Sequence, residues 1–304
     1  MITDYFKDLF QSSHPSDEDI EAVIGGMEAR VSDDMNETLI QLFSAEEVRH
    51  AISQMYPYIL SGPDGMLSFF NQEYWHIVGP EVTSFVLEFL NHRISDAKFN
   101  YTYVVLIPKC PKPETMSHFR PISLCTITHK IASKVLANRM KPLLSSIISE
   151  SRFAFVPGRL ITDNVLVAYE MNHYLAHKYG GTMGHAALKL DLSKAYDRVE
   201  CIFPKRVLAK FGFHPSLILL CVSTSSYSIV LFGQLFGHSD PERGLRQGDL
   251  LSLYLFFFCV EALSHLISLA EANGDIRGVA VSCHGPVSPI YFLQMIRCVF
   301  AKPR

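Results

Sequence analysis

Apolar positions along this chain recur at two periods, and the residues where each period breaks set the elements to expect. Val48, Ala51, Ile52 and Met55 follow Ser44-Ala45-Glu46-Glu47 at helical spacing. A capping box therefore opens an amphipathic helix over Ser44 to Met55, which Pro57 stops. A further helix is expected from Pro80 through Leu90, and a strand from Tyr103 to Ile107, ended by Pro108. Between Ile127 and Leu144 the apolar residues Ile131, Val135, Leu136, Met140 and Leu143 keep helical spacing with Lys130, Lys134, Arg139 and Lys141 among them. That pattern predicts an amphipathic helix with a basic outer side, whose cations are either simply solvated or contact phosphate.

After a break at Pro157-Gly158, a helix is expected from about Thr162 to Lys178, then a glycine break at Gly180-Gly181 and a short apolar strand from Ala186. Asp191 stands at the mouth of that strand. Taken alone, it could equally N-cap a short helix from Ser193 to Val199. Tyr227 to Phe232 and the residues from Gln234 onward read as a hairpin about Gly233. The strongest apolar run, Leu250 to Val260, is well short of the ~20 residues a membrane span needs and reads as a buried helix.

Composition adds limits. A chain of 304 residues that is 48% hydrophobic can build a sizeable core. The net charge of −3 hides an asymmetry: residues 1–60 carry 12 acidic and 3 basic side chains, the rest 18 and 24. Any attraction to a nucleic-acid backbone must come from the later part. Seven cysteines form no close pairs, so neither a zinc site nor a disulfide framework is suggested, and a reducing compartment fits. Asp4, Lys7 and Asp8 interrupt the opening residues, so no secretion signal is expected and a nuclear or cytoplasmic protein is.

Chemistry enters with two blocks. Lys189-Leu190-Asp191-Leu192-Ser193-Lys194-Ala195-Tyr196-Asp197 sets a carboxylate at a strand end beside an aromatic, and Gly244-Leu245-Arg246-Gln247-Gly248-Asp249 follows some fifty residues later. With Ser61-Gly62-Pro63-Asp64-Gly65, Leu106-Ile107-Pro108-Lys109, Phe119-Arg120-Pro121-Ile122-Ser123-Leu124 and Ala154-Phe155-Val156-Pro157-Gly158-Arg159, in this order, the chain resembles reverse transcriptases of plant long interspersed elements, the non-LTR retrotransposons. The resemblance runs from about Phe43 to the C-terminus. It implies an α+β fold, the fingers and palm of a right-hand polymerase with the palm incomplete and the thumb absent. The expected division is an acidic segment over 1–42, a fingers-like region over 43–185, a partial palm over 186–286 and a tail over 287–304.

The resemblance also implies roles. Two metal ions about 3.5–4 Å apart would activate the primer hydroxyl and steady the leaving pyrophosphate. Asp191 would ligate Mg²⁺, with the Leu192 carbonyl nearby, and Tyr196 would exclude a ribose 2′-hydroxyl. Asp197 is expected to be a structural cap or an ion-pair partner. Lys109 and Arg120 would face the triphosphate, Gln247 and Gly248 the nucleotide and template base, and Lys130, Lys134 and Arg246 the nucleic-acid strands. The implied partners are an RNA template, a DNA primer and deoxynucleoside triphosphates; no membrane is expected.

Departures from the family matter as much. Leu250 and Leu253 replace two prolines, Ile59 a lysine and Cys201 a tryptophan, Pro215 to Ser223 is shortened, and Phe232-Gly233 replaces the Asn-Gly suited to a tight turn. Above all, the family's Ala-Asp-Asp hairpin is missing, since no aspartate follows Asp275. A shifted frame restores it. Met295 followed by Ile296 reads GAT, aspartate, across the codon junction, and the codons for Phe292 to Gln294 permit Phe-Ala-Asp before it. The frame would slip between about His284 and Val287. Three functional readings stand: an inactive polymerase domain, a nucleic-acid-binding remnant, and an active enzyme whose frame is restored. Loss of the hairpin is expected to leave the edge of the Asp191 strand uncovered.

Overall fold

A computed structural model describes residues 2–92, 99–149, 158–177, 186–191, 194–216 and 226–276, and beyond these the strand residues 279–280, 287–288, 290–293 and 296–301. The helices are α1 (Ile2–Phe10), α2 (Asp17–Ile24), α3 (Asp33–Ile40), α4 (Ala45–Ser53), α5 (Ser68–Glu73), α6 (Trp75–Leu87), α7 (Ile127–Met140), α8 (Leu144–Ile147), α9 (Ile161–His177), α10 (Ile202–Lys210) and α11 (Ser252–Ala272). Strands are β1 (Tyr101–Pro108), β2 (Phe119–Cys125), β3 (Ala186–Asp191), β4 (Ser226–Leu231), β5 (Gln234–Ser239), β6 (Val279–Ala280), β7 (Val287–Ser288), β8 (Ile290–Leu293) and β9 (Ile296–Ala301). One sheet runs β2-β1-β4-β5, with β1 and β4 parallel and the outer pairs antiparallel. A second runs β3-β9-β8, and β6 pairs with β7. The fold is mixed helix and sheet.

Local signals placed many of these elements well. Ser44 caps α4 through a reciprocal capping box with Glu47, and Ser16 does the same for α2 with Asp19. β4 and β5 turn at Phe232 and Gly233, both at positive φ (51° and 76°), the geometry that favours asparagine over a bulky side chain. Elsewhere tertiary packing overrode local preference. The second expected helix begins at Trp75, so Pro80 lies inside α6, and the chain continues through a π-helical turn, Glu88–His92, that buries Phe89. Of the short helix expected over Ser193 to Val199, Ser193 lies outside the described residues and the described part forms a 3₁₀ turn, Tyr196–Arg198.

The largest correction concerns α7. It is buried almost all round, with Ile127, His129, Lys130, Ile131, Ala132, Ser133, Val135, Leu136, Ala137 and Met140 inside. Lys130 is 2% exposed and donates to the Leu60 carbonyl, so it contacts the protein interior and not a phosphate backbone. Arg139 grips Glu47 and the Leu39, Gln41 and Leu42 carbonyls, with its guanidinium 3.6 Å from the Phe43 ring centroid. Lys134 is half-buried, and burial lowers its pKa. Of the four cations, Lys130 is interior and Arg139 is engaged within the protein, while Lys141 is exposed.

Residues 1–42 are integral to the packing. Phe6 and Leu9 of α1 bury against Val104, Tyr227 and Ile229 of the four-stranded sheet, while Ile20, Ile24, Val31 and Leu39 join the main core around α7 and α11. Helix α11 outruns the apolar stretch that announced it and, at 21 residues, is long and apolar enough by length and composition to cross a membrane. Here it is a core helix: Leu255, Phe256, Phe257, Phe258 and Ala262 are buried, and Glu261, 1% exposed, pairs with Arg30 at 3.1 Å.

Candidate functional site

The two blocks singled out in the sequence meet. Residues 196–201 lie along 242–245: the Leu245 N–H donates to Tyr196 O (2.8 Å), Gly244 N–H to Val199 O (2.7 Å) and Cys201 N–H to Glu242 O (3.0 Å). Gly244 is required there, because at φ +102° a Cβ would stand 2.9 Å from the Phe10 ring and 3.3 Å from Asp197 O. Beside this zipper, Gln247 donates from Nε2 to Asp197 Oδ1 at 2.6 Å. The next glycine, Gly248 (φ +111°), lets the loop close on β2, where a Cβ would lie 2.9 Å from Ser123 O, and the Ser123 N–H donates to Gln247 O at 2.7 Å. The close backbone approach expected of Gly248 is thus made to a strand of the protein.

Asp197, expected to be a cap or an ion-pair partner, is the hub. It is buried, and burial raises its carboxyl pKa; the Gln247 hydrogen bond and the charges of Lys194, Lys109 and Arg120 pull it back down. Lys109, just past the end of β1, and Arg120 of β2 both remain exposed. Lys109 is tied to the turn between those strands through its Nζ on Ser117 O (3.1 Å). Of the residues singled out, the structure joins Gln247 to Asp197 directly, with the charges of Lys109 and Arg120 acting on the same carboxyl.

Tyr196 is half-buried, its ring stacked on Phe256 at 4.5 Å between centroids, and burial pushes its phenol up to about 12. Lys194, at φ 53°, turns its ammonium onto the Tyr5 hydroxyl and ring of α1. Arg246 points inward, donating to Asn100 Oδ1 (2.6 Å) and pairing with Asp249 (3.8 Å), which corrects the expectation that it reaches a nucleic-acid strand. Asp249 is buried; desolvation opposes its charge, but the neighbouring Arg246 guanidinium and the Leu251 N–H lower its pKa.

A second motif proves to be scaffolding. Asp64 Oδ2 accepts from the Ile127 N–H (2.6 Å), capping α7 from a distance, while Lys130 holds the Leu60 carbonyl. Gly62 lies between, so close to Cys125 that a Cβ would overlap its carbonyl. Neither this clamp nor the Asp197–Gln247 bond has a local signature that could have announced it.

Asp191 ends β3, paired with Ile296 of β9. One edge of β3 is covered, because β9 pairs along it from Ala186 to Asp191 and β8 continues the sheet, while β3 is the end strand of that sheet among the described residues. Leu192 and the Asp191 side chain lie outside the described residues. The strands beside Asp191 in the sheet, β9 and β8, contain no carboxylate in their sequences, and among the described residues no three His, Cys, Asp or Glu side chains gather where they could hold an ion.

Residues 107–283 match the family described as reverse transcriptase (RNA-dependent DNA polymerase), over half of the chain, and the chain belongs to that family. Over 90% of its length it is 27% identical to a 149 kDa protein of transposon TX1 from Xenopus laevis, and over 72% it is 26% identical to the Pol polyprotein of the type-1 retrotransposable element R2 from Nasonia vitripennis. A stretch of 57 residues, 19% of the chain, is 46% identical to an uncharacterized mitochondrial protein of Arabidopsis thaliana, covering 47% of that protein. The chain spans about a fifth of the length of the first two relatives, 21% and 20%.

Proposed function

We propose that this chain is the fingers and palm of a reverse transcriptase of non-LTR retrotransposon lineage that has lost polymerase activity. The observation that carries the reading is the strand register at Asp191: a carboxylate ends β3, and the strands beside it, β9 and β8, bring none to meet it. One carboxylate cannot fix two metal ions in line with a primer hydroxyl. Lys109, Arg120 and Gln247 form the part of the site that faces deoxynucleoside triphosphate, and RNA template with DNA primer are the ancestral partners. A slipped frame between His284 and Val287 accounts for the loss, and a plant source has the 46% identity over 57 residues to the Arabidopsis protein in its favour. The alternative of a nucleic-acid-binding remnant is weakened, since Lys130 of α7 is interior and Arg139 is held by Glu47.

The purified chain is expected to extend no RNA-templated primer with Mg²⁺ or Mn²⁺. Template-dependent extension that Asp191→Ala abolishes would overturn the reading. Repairing the frame should recreate Phe-Ala-Asp-Asp in place of Phe292 to Met295 and return weak extension at best, because Leu250, Leu253 and Ile59 remain.

A further inference from the structure

Away from the polymerase site, the last turns of α9 carry a ladder of exposed rings. Tyr169, His173 and His177 succeed one another one helical turn apart, and the spacing i, i+4 sets their Cβ atoms about 5–6 Å apart on a single face. His173 and His177 stack with ring centroids 4.1 Å apart and planes inclined by 27°; Tyr169 lies 6.5 Å from His173. Both histidines are exposed, and the core side of α9 is made by Ala168, Met171 and their neighbours instead. Nothing in the packing of the helix calls for two imidazoles there.

One hydrogen bond gives the pair a chemical direction. His177 Nδ1 lies 2.8 Å from the His173 carbonyl oxygen. A carbonyl only accepts, so Nδ1 carries the hydrogen and the Nε2 lone pair is left bare toward solvent, the tautomer a metal ion takes. Backbone carbonyls play this orienting role behind metal-bound imidazoles generally. A tetrahedral ion with Zn–N bonds of about 2.0–2.1 Å needs its two nitrogens roughly 3.3 Å apart with both ring planes converging on it, so the two exposed rings must turn about their side-chain torsions out of the stack to close on an ion, a motion their exposure allows.

We propose that His173 and His177 form a two-imidazole chelate for a borderline divalent transition ion, Zn²⁺ foremost, with water completing its shell. Imidazole nitrogens suit Zn²⁺, Ni²⁺ and Cu²⁺, whereas Mg²⁺ takes oxygen ligands, so this site is chemically distinct from the polymerase centre and does not rest on the polymerase reading. An ion here bridges the final turn of α9, the helix that precedes the Asp191 strand, and stabilises the folded chain by mass action.

The test titrates the metal-free full chain with Zn²⁺ by calorimetry and follows the histidine ring resonances by NMR. One equivalent of Zn²⁺ should be lost in His173→Gln and again in His177→Gln, with two ring systems shifting in the parent and excess Mg²⁺ failing to displace the ion. Tyr169→Phe should bind as the parent does. Unchanged stoichiometry and affinity in the double variant, or Zn²⁺ shifts confined to other histidines, would overturn the proposal.

Discussion

Replacing Gly62 by alanine puts a Cβ onto the carbonyl of Cys125 and 2.8 Å from Thr126 N, both backbone atoms at the start of α7. No rotamer relieves that overlap, so the loop holding Gly62 must withdraw. Overpacking of this kind costs about 1–3 kcal/mol where the structure absorbs it. Withdrawal also weakens the Asp64 cap on Ile127, worth about 0.5–2 kcal/mol, and pulls the Leu60 carbonyl from the Lys130 ammonium, where an uncompensated buried charge costs about 3–5 kcal/mol. Because withdrawal trades one loss for another, a net destabilisation of about 4 kcal/mol is expected. Gly65→Ala is the control in the same loop: nothing lies within 4 Å of its Cβ, and only its φ of +69° matters. That strain is about 1–2 kcal/mol. Urea unfolding of both variants, with the slope of the transition checked for constancy, measures the difference. If Gly62→Ala unfolds within about 1 kcal/mol of Gly65→Ala, the clamp between this loop and α7 is not what holds them together.

Three further outcomes follow from buried groups and one turn. His129 is driven by burial and the nearby Arg246 charge from 6.5 to about 3, so below pH 6.5 the unfolded chain takes a proton the native one refuses. Stability should therefore fall as pH drops through that window, by at most about 5 kcal/mol, and His129→Leu should flatten the slope; an unchanged slope refutes the assignment. Burial raises the carboxyl of Asp197 above 3.8, so its charge opposes folding at neutral pH and that opposition fades as pH falls through the folded value. Asp197→Asn keeps an acceptor for Gln247 and should equal or exceed the parent in stability at pH 7, with the advantage gone near pH 4; a marked loss at pH 7 would show that the charge itself is needed. Phe232, fully exposed at positive φ, should yield to asparagine with a gain of a few tenths to about 1 kcal/mol in thermal or urea unfolding, and a loss would refute the turn geometry.

Much of the architecture was written locally. The Ser44–Glu47 box, the strand ended at Pro108, the helix over residues 161–177, the hairpin at Gly233 and the apolar run of α11 each depend on a repeat or a cap within a few residues, and such signals survive in one dimension. The motif order also announced the reverse transcriptase family. The meaning of a polar residue inside an element was not local. Lys130 sits where helical spacing suggests a solvated face, yet its ammonium is held by the Leu60 carbonyl, seventy residues away in sequence. Asp197 read as a cap or an ion-pair partner until the loop from Gly244 to Asp249 folded back and gave it Gln247, fifty residues on. Periodicity records which way an element's own side chains divide, whereas burial of a charge is decided by whatever distant backbone or side chain arrives to satisfy it. For that reason the acidic first segment could be read as an appendage, and only tertiary packing made Phe6, Ile20 and Leu39 part of the cores.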